Sequence, residues 1–432
     1  MSVSSVFQEF CQSIKLVDKV TWTNRFKRIT KKINEKYYDN PDDDSNHRLR
    51  VGSTGRYTAT SDASDYDIIL ELPWETYDRF NSHEHGQSDL LQEVKSCIKE
   101  TYSKTDISAD GQVVDVNFND GLIEVVPGFE NHDKSFQYLD THNGGSWKTT
   151  NPRPEKEQCK NDNDNSSGTF RDLSRMIRVW KNHQGFVFQG ILIDTLVHNF
   201  YKENEDDVNN SSYSGYPQLM YDLFQYLSEQ DLEQTTWHAL GSNQEIKCKD
   251  NHFIKKAKDA CNDLDEIDLN NEDEVLDIFK SLFGYRFSKV ADNSDSANEE
   301  EFASSVFRSI NIQGTFDIKC TVNKDGFKDH GMAFFVQYFS ALLKSSKLIF
   351  SVQNEDFPDR YKNKKITYYW KVRNYGPEAR NANCLRGEIV KGDRTHIETT
   401  KYTNMHHYVE CYAVYDGVVI ARNKVIVPIG DS

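Results

Sequence analysis

The feature that most constrains this chain is a pair of aspartates leading into an apolar run, in the order Asp65-Tyr66-Asp67-Ile68-Ile69-Leu70. The run predicts a buried β-strand. Side chains alternate along a strand, so Asp65 and Asp67 would point to the same face. Two carboxylates on one face can bridge two metal ions about 4 Å apart, which stabilises both the attacking and the leaving oxygen in phosphoryl transfer. An Asp-x-Asp pair alone also fits a polar strand end, so its meaning depends on the flanking segments.

Two segments flank the pair. The turn Gly52-Ser53-Thr54-Gly55-Arg56 lies upstream, and the strand-like stretch Leu122–Pro127, which carries Glu124, lies downstream. A Gly-Ser turn can offer backbone N–H groups and the Ser53 hydroxyl to phosphates. Together these parts predict a metal-dependent nucleotidyltransferase, in which the three carboxylates hold two Mg²⁺ or Mn²⁺ ions.

These segments resemble the core of the bacterial cGAS/DncV-like nucleotidyltransferases, also called CD-NTases or SMODS. The resemblance covers Val51–Thr60, Ser64–Leu70 and Ile123–Gly128, with Glu124 in place of the commoner Asp and Tyr57 in place of the usual Gly. It implies an α/β (α+β) protein with a polymerase-β-like core, a mixed sheet and a helical lobe. It also implies that the three carboxylates are the catalytic and metal-binding groups.

The residues alone do not decide which side chain supplies the third carboxylate. Asp115 and Asp120 compete with Glu124 for this role. The pair Asp120-Gly121 is typical of a hairpin turn, and Asp115 falls on the preceding predicted strand, Gln112–Phe118. We therefore rank both behind Glu124.

A basic stripe follows on a predicted helix, Phe170–His183. Arg171, Arg175, Arg178 and Lys181 recur at spacings of three and four, which puts them on one helix face. A solvated face would give the same pattern. The resemblance implies a helix of this type over the triphosphate, so Lys181 is our first choice for binding it and Arg178 the second. Arg171 and Arg175 are expected at the surface.

The resemblance assigns further residues to nucleotide binding. They are Gly52, Ser53 and Arg56 in the turn, and Asp194 in the helix Ile191–Tyr201. Gly190 stands near a position where the family often has a phosphate-binding Ser. The far end of the triphosphate site is therefore unassigned.

Length and composition indicate a soluble protein of two or three domains. The 432 residues carry a net charge of −16 and contain no apolar run near the roughly 20 residues of a membrane span. Residues 1–15 lack a signal-peptide hydrophobic region, so we expect a cytoplasmic protein without membrane partners. The eight cysteines are scattered with no C-x-x-C pair, which gives no zinc ribbon. The acidic body disfavours a duplex DNA activator.

The order of predicted elements suggests four regions: a nucleotidyltransferase core with an N-terminal helix at 1–165, a helical lobe closing the nucleotide cleft at 166–290, a linker with a small extension at 291–344, and an all-β domain at 345–432. Polar stretches are predicted as loops at Glu155–Gly168, Lys202–Gly215 and Ala291–Glu301. Helices are predicted at 87–102, 170–183, 191–201, 218–230, 253–264 and 274–283.

The last region resembles the AGS-C sensor domain, on the segments Tyr368–Ala379, Arg386–Ile389 and His407–Tyr412. Residues 345–432 contain 14 Lys and Arg against 10 Asp and Glu, whereas the preceding residues contain 38 against 58. A basic domain attracts anions, so an anionic ligand is expected there. The same asymmetry would also let this domain dock onto the acidic remainder.

The leading functional hypothesis is a cyclic oligonucleotide synthase. It would join nucleoside triphosphates, with ATP and GTP expected from the family, into a cyclic di- or trinucleotide second messenger for antiphage (CBASS) signalling, and this product would reach a downstream effector. The alternatives are a linear oligonucleotide or tRNA nucleotidyltransferase, and a nucleotide-binding sensor whose catalytic site has decayed. Intact Asp65 and Asp67 argue against decay.

Overall fold

A computed structural model describes residues 2–17, 20–248, 250–291 and 300–430. The chain divides into two compact units, each built from two stretches of sequence. The first unit comprises Met1–Val179 and Gln189–Ile278, and the second comprises Trp180–Phe188 and Phe279–Ser432.

The first unit combines helices with a sheet. The helices that begin in it are α1 (Val3–Ile14), α2 (Val20–Tyr38), α3 (Gly52–Arg56), α4 (Trp74–Asn81), α5 (Gly86–Thr101), α6 (Pro152–Asn165), α7 (Thr169–Gln184), α8 (Gly190–Glu203), α9 (Glu205–Asn209), α10 (Tyr216–Ser228), α11 (His252–Asp265) and α12 (Glu272–Phe283). The strands are β1 (Arg48–Arg50), β2 (Asp65–Glu71), β3 (Asp106–Asp110), β4 (Val113–Phe118), β5 (Gly121–Glu130), β6 (Phe136–Asp140), β7 (Ser146–Thr150), β8 (Thr236–His238) and β9 (Glu245–Lys247). The last turns of α7 and α12 belong to the second unit.

The main sheet is mixed, as predicted. Its strand order is β1-β2-β5-β4-β3, with β6 and β7 added beyond β5. Strand β2 runs parallel to β5 and antiparallel to β1. Helices α2 and α5 bury their apolar stripes against one sheet face, where Trp22 stacks on Tyr66 at 4.2 Å between ring centroids. The side chains that alternate with Tyr66 along β2 therefore project from the opposite face of the sheet.

The predicted helices of this unit are confirmed within a few residues, but two predicted loops contain helices. Most of Glu155–Gly168 forms helix α6. The buried face of α6 includes Glu155, Cys159 and Asp162, so the periodicity that marks an amphipathic helix is carried partly by acidic residues. Part of the predicted loop Lys202–Gly215 is also helical, since α9 lies within it.

The second unit is rich in strands, as predicted. Its elements are α13 (Tyr285–Ala291), α14 (Ala303–Val306), β10 (Ser309–Ile310), β11 (Thr315–Asn323), β12 (His330–Gly331), α15 (Met332–Phe339), β13 (Lys347–Asp356), β14 (Thr367–Arg373), α16 (Pro377–Asn381), β15 (Arg386–Gly392), β16 (Thr395–Thr399), β17 (Asn404–Tyr415) and β18 (Val418–Ile429). They form two sheets, ordered β10-β18-β17-β14-β15 and β12-β11-β13-β16, that share one hydrophobic core.

The expectation of a linker at 291–344 is corrected, because much of this segment belongs to the two sheets formed by β10–β18, here called the β domain. Strand β11 pairs antiparallel with β13 along most of its length, and β10 pairs with β18. These pairings join segments far apart in sequence, which local patterns do not reveal. Residues 292–299 of the predicted loop Ala291–Glu301 lie outside the described residues. The predicted division of the first unit at residue 165 stays a prediction.

Candidate active site

Three carboxylates lie on the sheet face opposite the hydrophobic core of the first unit. Asp65 and Asp67 alternate along β2 with the buried Tyr66 and Ile68. In the parallel pairing of β2 with β5, Asp67 lies beside Glu124. Because paired residues of neighbouring strands project to the same face, Asp65, Asp67 and Glu124 share that face. The structure therefore brings together the three residues predicted as catalytic.

The Asp67 carboxyl has a strongly perturbed pKa. Its burial, the charge of Glu124 and a hydrogen bond shared with that carboxyl raise the pKa of Asp67 well above its usual range, with a further contribution from Asp65. The nearby Arg56 guanidinium offsets only part of this. Two carboxyl groups this close cannot both carry a full charge without a counterion. Carboxylate oxygens are also the donors that Mg²⁺ and Mn²⁺ prefer, so the donor set fits a divalent cation.

The Gly-Ser turn packs directly against Asp67. A Cβ atom at Gly52 would lie 2.0 Å from the Asp67 Oδ2 atom, and Gly52 has a φ of +63°. The Val51 N–H donates to the Asp67 carbonyl at 2.9 Å. The Ser53 carbonyl accepts the N–H groups of Thr58 and Ala59, which closes the turn. The turn and strand β2 thus form one local unit, with Ser53 half-buried.

The competing third ligands have different surroundings. Asp115 of β4 pairs with Glu124 in the antiparallel register of β4 and β5, so it lies on the same face, one strand farther from Asp67. Asp120 lies in the turn between β4 and β5, where it forms an ion pair with Arg25 at 2.7 Å. Glu124 and Asp115 therefore lie on the same sheet face as Asp67, whereas Asp120 lies in the turn and pairs with Arg25. Among the described residues, no group of three or more His, Cys, Asp or Glu side chains already has metal-binding spacing.

Three residues predicted to bind nucleotide form a buried ionic network. Asp194 is fully buried and accepts hydrogen bonds from Arg56 Nε at 2.8 Å, Thr58 Oγ1 at 2.9 Å and Arg178 at 2.9 Å. Burial would raise the pKa of Asp194, but the Arg178 and Arg56 guanidinium groups outweigh it and hold the pKa below its usual range. Arg56 also contacts Glu155 at 3.5 Å. These contacts engage Arg56, Arg178 and Asp194 with one another, and their contact with the nucleotide stays a prediction.

The basic stripe on α7 is also used differently from the prediction. Lys181 belongs to the second unit, where its buried ammonium donates to the Ile312 carbonyl at 3.0 Å. Arg175, expected at the surface, is buried and donates to the Tyr57 carbonyl at 2.7 Å. Even spacing on a helix identifies a common stripe, but the Ile312 partner of Lys181 and the Tyr57 partner of Arg175 lie far away in sequence.

Two cationic side chains that local sequence patterns do not bring together lie beside Tyr57, immediately after the Gly-Ser turn. The Arg171 guanidinium lies 5.2 Å and the Lys156 ammonium 5.7 Å from the centroid of the Tyr57 ring, which is 47% exposed. Burial, together with Arg50 and Arg153, lowers the pKa of Lys156. Arg171 was expected at the surface and Lys156 fell in a predicted loop. The helical face of α6 was the signal that would have identified Lys156.

Across the part of the chain that the structure describes, no helix combines the length and the apolar character that crossing a bilayer requires.

Comparison with protein-family models identifies two domains in the chain. Residues 1–163 match the Second Messenger Oligonucleotide or Dinucleotide Synthetase (SMODS) domain, and residues 297–430 match the Adenylyl/Guanylyl and SMODS C-terminal sensor domain, AGS_C. The second match begins well before residue 345, in agreement with the place of β10 and β11 in the β domain.

Similar proteins give the same assignment. A probable cyclic nucleotide synthase of Bacillus cereus is 20% identical over 56% of this chain and 77% of its own length. A cyclic AMP-AMP-AMP synthase of an Acinetobacter strain is 24% identical over 51% of this chain and 66% of its own length.

Solved structures share the fold. The CD-NTase CdnG of Bradyrhizobium diazoefficiens, in complex with GTP, aligns with a TM-score of 0.51 and 9% identity over 67% of this chain and 98% of its own. Escherichia coli CdnC, in complex with a HORMA protein, aligns with a TM-score of 0.50 and 15% identity over 66% and 98%. The chain belongs to the CD-NTase (SMODS) family of nucleotidyltransferases, the family of the cyclic nucleotide synthases, and carries an AGS_C domain at its C-terminal end.

Proposed function

We propose that this protein joins nucleoside triphosphates into a cyclic oligonucleotide. The observation that carries the proposal is the register of β2 and β5, which sets Asp67 beside Glu124 with Asp65 on the same face and the Gly52 turn packed against Asp67. Carboxylates grouped beside a phosphate-binding turn are the arrangement that nucleotidyl transfer requires.

Asp65, Asp67 and Glu124 would hold two divalent cations, Mg²⁺ or Mn²⁺. When bound, such ions activate the attacking hydroxyl and neutralise the charge that develops on the leaving pyrophosphate. In the reaction, a ribose 2′- or 3′-hydroxyl oxygen forms a bond to the α-phosphorus while the bond to the bridging oxygen of pyrophosphate breaks. The Glu124 carboxylate, which already shares a hydrogen bond with Asp67, would accept the hydroxyl proton.

The triphosphate would be bound on the Gly-Ser side of the carboxylates. Ser53 supplies a hydroxyl there, and the Lys156 and Arg171 side chains over the Tyr57 ring supply positive charge close to the same turn. This assignment replaces Lys181 and Arg178, because their cationic groups are engaged with protein carbonyl and carboxylate oxygens. The Arg56–Asp194–Arg178 network would position the turn through Arg56, the last residue of α3.

Purine triphosphates are the expected substrates, and the product would be a cyclic di- or trinucleotide. The Acinetobacter relative is named for an adenine product, and the Bradyrhizobium structure contains GTP. We further propose that the protein acts in the cytoplasm in antiphage (CBASS) signalling and that its product binds a downstream effector.

The test is a product assay with purified protein, each of the four α-labelled nucleoside triphosphates singly and in pairs, and Mg²⁺ or Mn²⁺. A product that survives phosphatase but is cut by a phosphodiesterase identifies a cyclic oligonucleotide. Linear oligonucleotides that lose their terminal phosphates, or label transferred only to added tRNA, would identify the two linear alternatives. Nucleotide binding without turnover would identify a decayed sensor. An EDTA control tests the requirement for a divalent cation.

A further inference from the structure

The β domain contains a cavity that the proposed catalytic function does not use. Its volume is about 300 Å³, and strands of both sheets line it at one end of the shared core. Leu348 of one sheet and Val372, Val409 and Val427 of the other form its apolar wall. This volume is at the lower end of the range for small-molecule sites, so the cavity has room for one small ligand.

Polar side chains face inward at this end of the core, where the rest of the interior is apolar. Glu398 pairs with the buried Leu348 across β13 and β16, so both side chains lie on the inner face. His407 precedes the buried Val409 by two residues along β17 and shares its face. Asn374, directly beyond β14, also lines the cavity. A mainly apolar cavity with a few convergent polar groups is typical of a ligand site.

Arg386 is brought to the cavity by an unusual backbone. Its φ is +58°, a left-handed conformation that costs energy for a residue with a long side chain. The pairing of β14 with β15 is irregular at this point, between Lys371 and Arg373. Irregularities of this kind redirect side chains next to functional sites. Here the Arg386 guanidinium meets the inward-facing Glu398 at 2.6 Å.

The charges of the lining do not cancel. Glu398 is neutralised by Arg386 and also contacts His396 at 2.7 Å. His407 is held as a neutral ring, because its Nδ1 accepts the Tyr375 N–H and its Nε2 donates to a backbone carbonyl. Lys401 is exposed at the cavity and makes no ion pair within the described ranges. The lining therefore carries one uncompensated positive charge beside an apolar wall.

We infer that this cavity binds a single nucleotide. The apolar wall from the two sheets would accept the base, and Lys401 would pair with the phosphate. The Asn374 Nδ2 donates to the Cys384 carbonyl at 2.8 Å, so its Oδ1 would accept a hydrogen bond from the base edge. A cavity this small excludes a cyclic oligonucleotide as a fully enclosed ligand. A nucleotide bound here would be the ligand of the AGS_C sensor domain.

Binding of AMP, GMP, CMP and UMP to the full-length protein tests the inference. Calorimetric titration in EDTA removes the divalent ions on which the proposed catalytic site depends, so failure here is distinguishable from failure of the catalytic proposal. We expect at least one of the four to bind saturably. Lys401→Glu and Asn374→Ala should each weaken that binding at least tenfold. Lys391→Glu, at an exposed lysine of β15 outside the cavity, is the matched control and should bind as wild type.

Thiol protection locates the bound nucleotide. Cys384 lines the cavity and is half-buried, and Cys261 of the first unit is equally half-buried. Bound nucleotide should slow alkylation of Cys384 severalfold and leave Cys261 unchanged. No saturable binding by any of the four nucleotides would overturn the inference. So would binding that Lys401→Glu leaves intact, or binding that Asp65→Asn with Asp67→Asn abolishes.

Discussion

At the scale of single residues, the candidate active site depends on how closely Gly52 approaches Asp67. Only a residue without a side chain fits between the turn and the carboxylate, and its φ of +63° is one that glycine adopts without strain. This contact, with the hydrogen bond from the Val51 N–H to the Asp67 carbonyl, joins the Gly-Ser turn to strand β2. The proposed chemistry therefore depends on a backbone position as much as on charged groups.

Gly52→Ala should reduce synthesis about 100-fold while the protein still folds, because the methyl group would displace the Asp67 carboxylate and small displacements of catalytic groups are costly. Initial rates of product formation and the melting temperature measure the two effects. Gly144→Ala is the matched control, since Gly144 also has a positive φ but a Cβ there would contact nothing within 4 Å. Equal losses in the two variants would show that strain alone matters.

The identity of the third carboxylate is tested by Glu124→Gln and Asp115→Asn. Glu124 lies between Asp67 and Asp115 in the strand order, and it already contacts Asp67. We expect Glu124→Gln to lower the rate by orders of magnitude with nucleotide affinity largely kept. Asp115→Asn should have a much smaller effect. The reverse result would assign the third ligand to β4.

Lys156 offers a test of the revised triphosphate assignment. Lys156→Gln should raise KM for the nucleoside triphosphate about tenfold, because a cation near the phosphates is lost, and steady-state kinetics measure it. Lys160→Gln, on the same helix at an exposed lysine paired with Asp164, is the control. An unchanged KM in Lys156→Gln would remove this residue from the site.

At the scale of elements, the parts of the candidate site that depend on local sequence patterns could be predicted. Strands β2 and β5 are predictable from the short apolar runs that follow Asp67 and flank Glu124, and their pairing brings Asp67 beside Glu124. Helix α6 was missed because its buried face includes Glu155 and Asp162, whose partners come from other elements. The ion pair of Arg178 on α7 was not predicted for the same reason, since its partner Asp194 lies on α8.

Asp194→Asn separates a structural from a substrate-binding role. Breaking a buried ion pair leaves uncompensated guanidinium groups, so the free energy of unfolding should fall by about 3–5 kcal/mol in urea titrations. The pKa of Asp194 is lowered in the folded protein, so its stabilisation is present above the usual Asp pKa and is lost as pH falls below it. The variant should therefore lose less stability on acidification than wild type. Unchanged stability with a raised KM would return Asp194 to the nucleotide site.

At the scale of the whole molecule, the three candidate catalytic carboxylates and the β domain belong to separate compact units. The mixed sheet and the strand-rich C-terminal region were predictable from the pattern of short apolar runs and turns and from the family resemblance. The start of the β domain was not, because β11 is recognisable as part of it only through its pairing with β13. The cavity of the β domain was equally hidden, since its lining comes from six strands and the segments that adjoin them.

The most direct test of the central claim is the rate of cyclic product formation by a variant that carries both Asp65→Asn and Asp67→Asn. Its control carries Asp89→Asn and Asp110→Asn, which replace two exposed carboxylates of the same unit. With Mg²⁺ and the triphosphates that wild type uses, we predict phosphatase-resistant product from wild type and from the control. The first variant should make none, although its melting temperature stays close to that of wild type. Wild-type turnover by that variant would contradict the account.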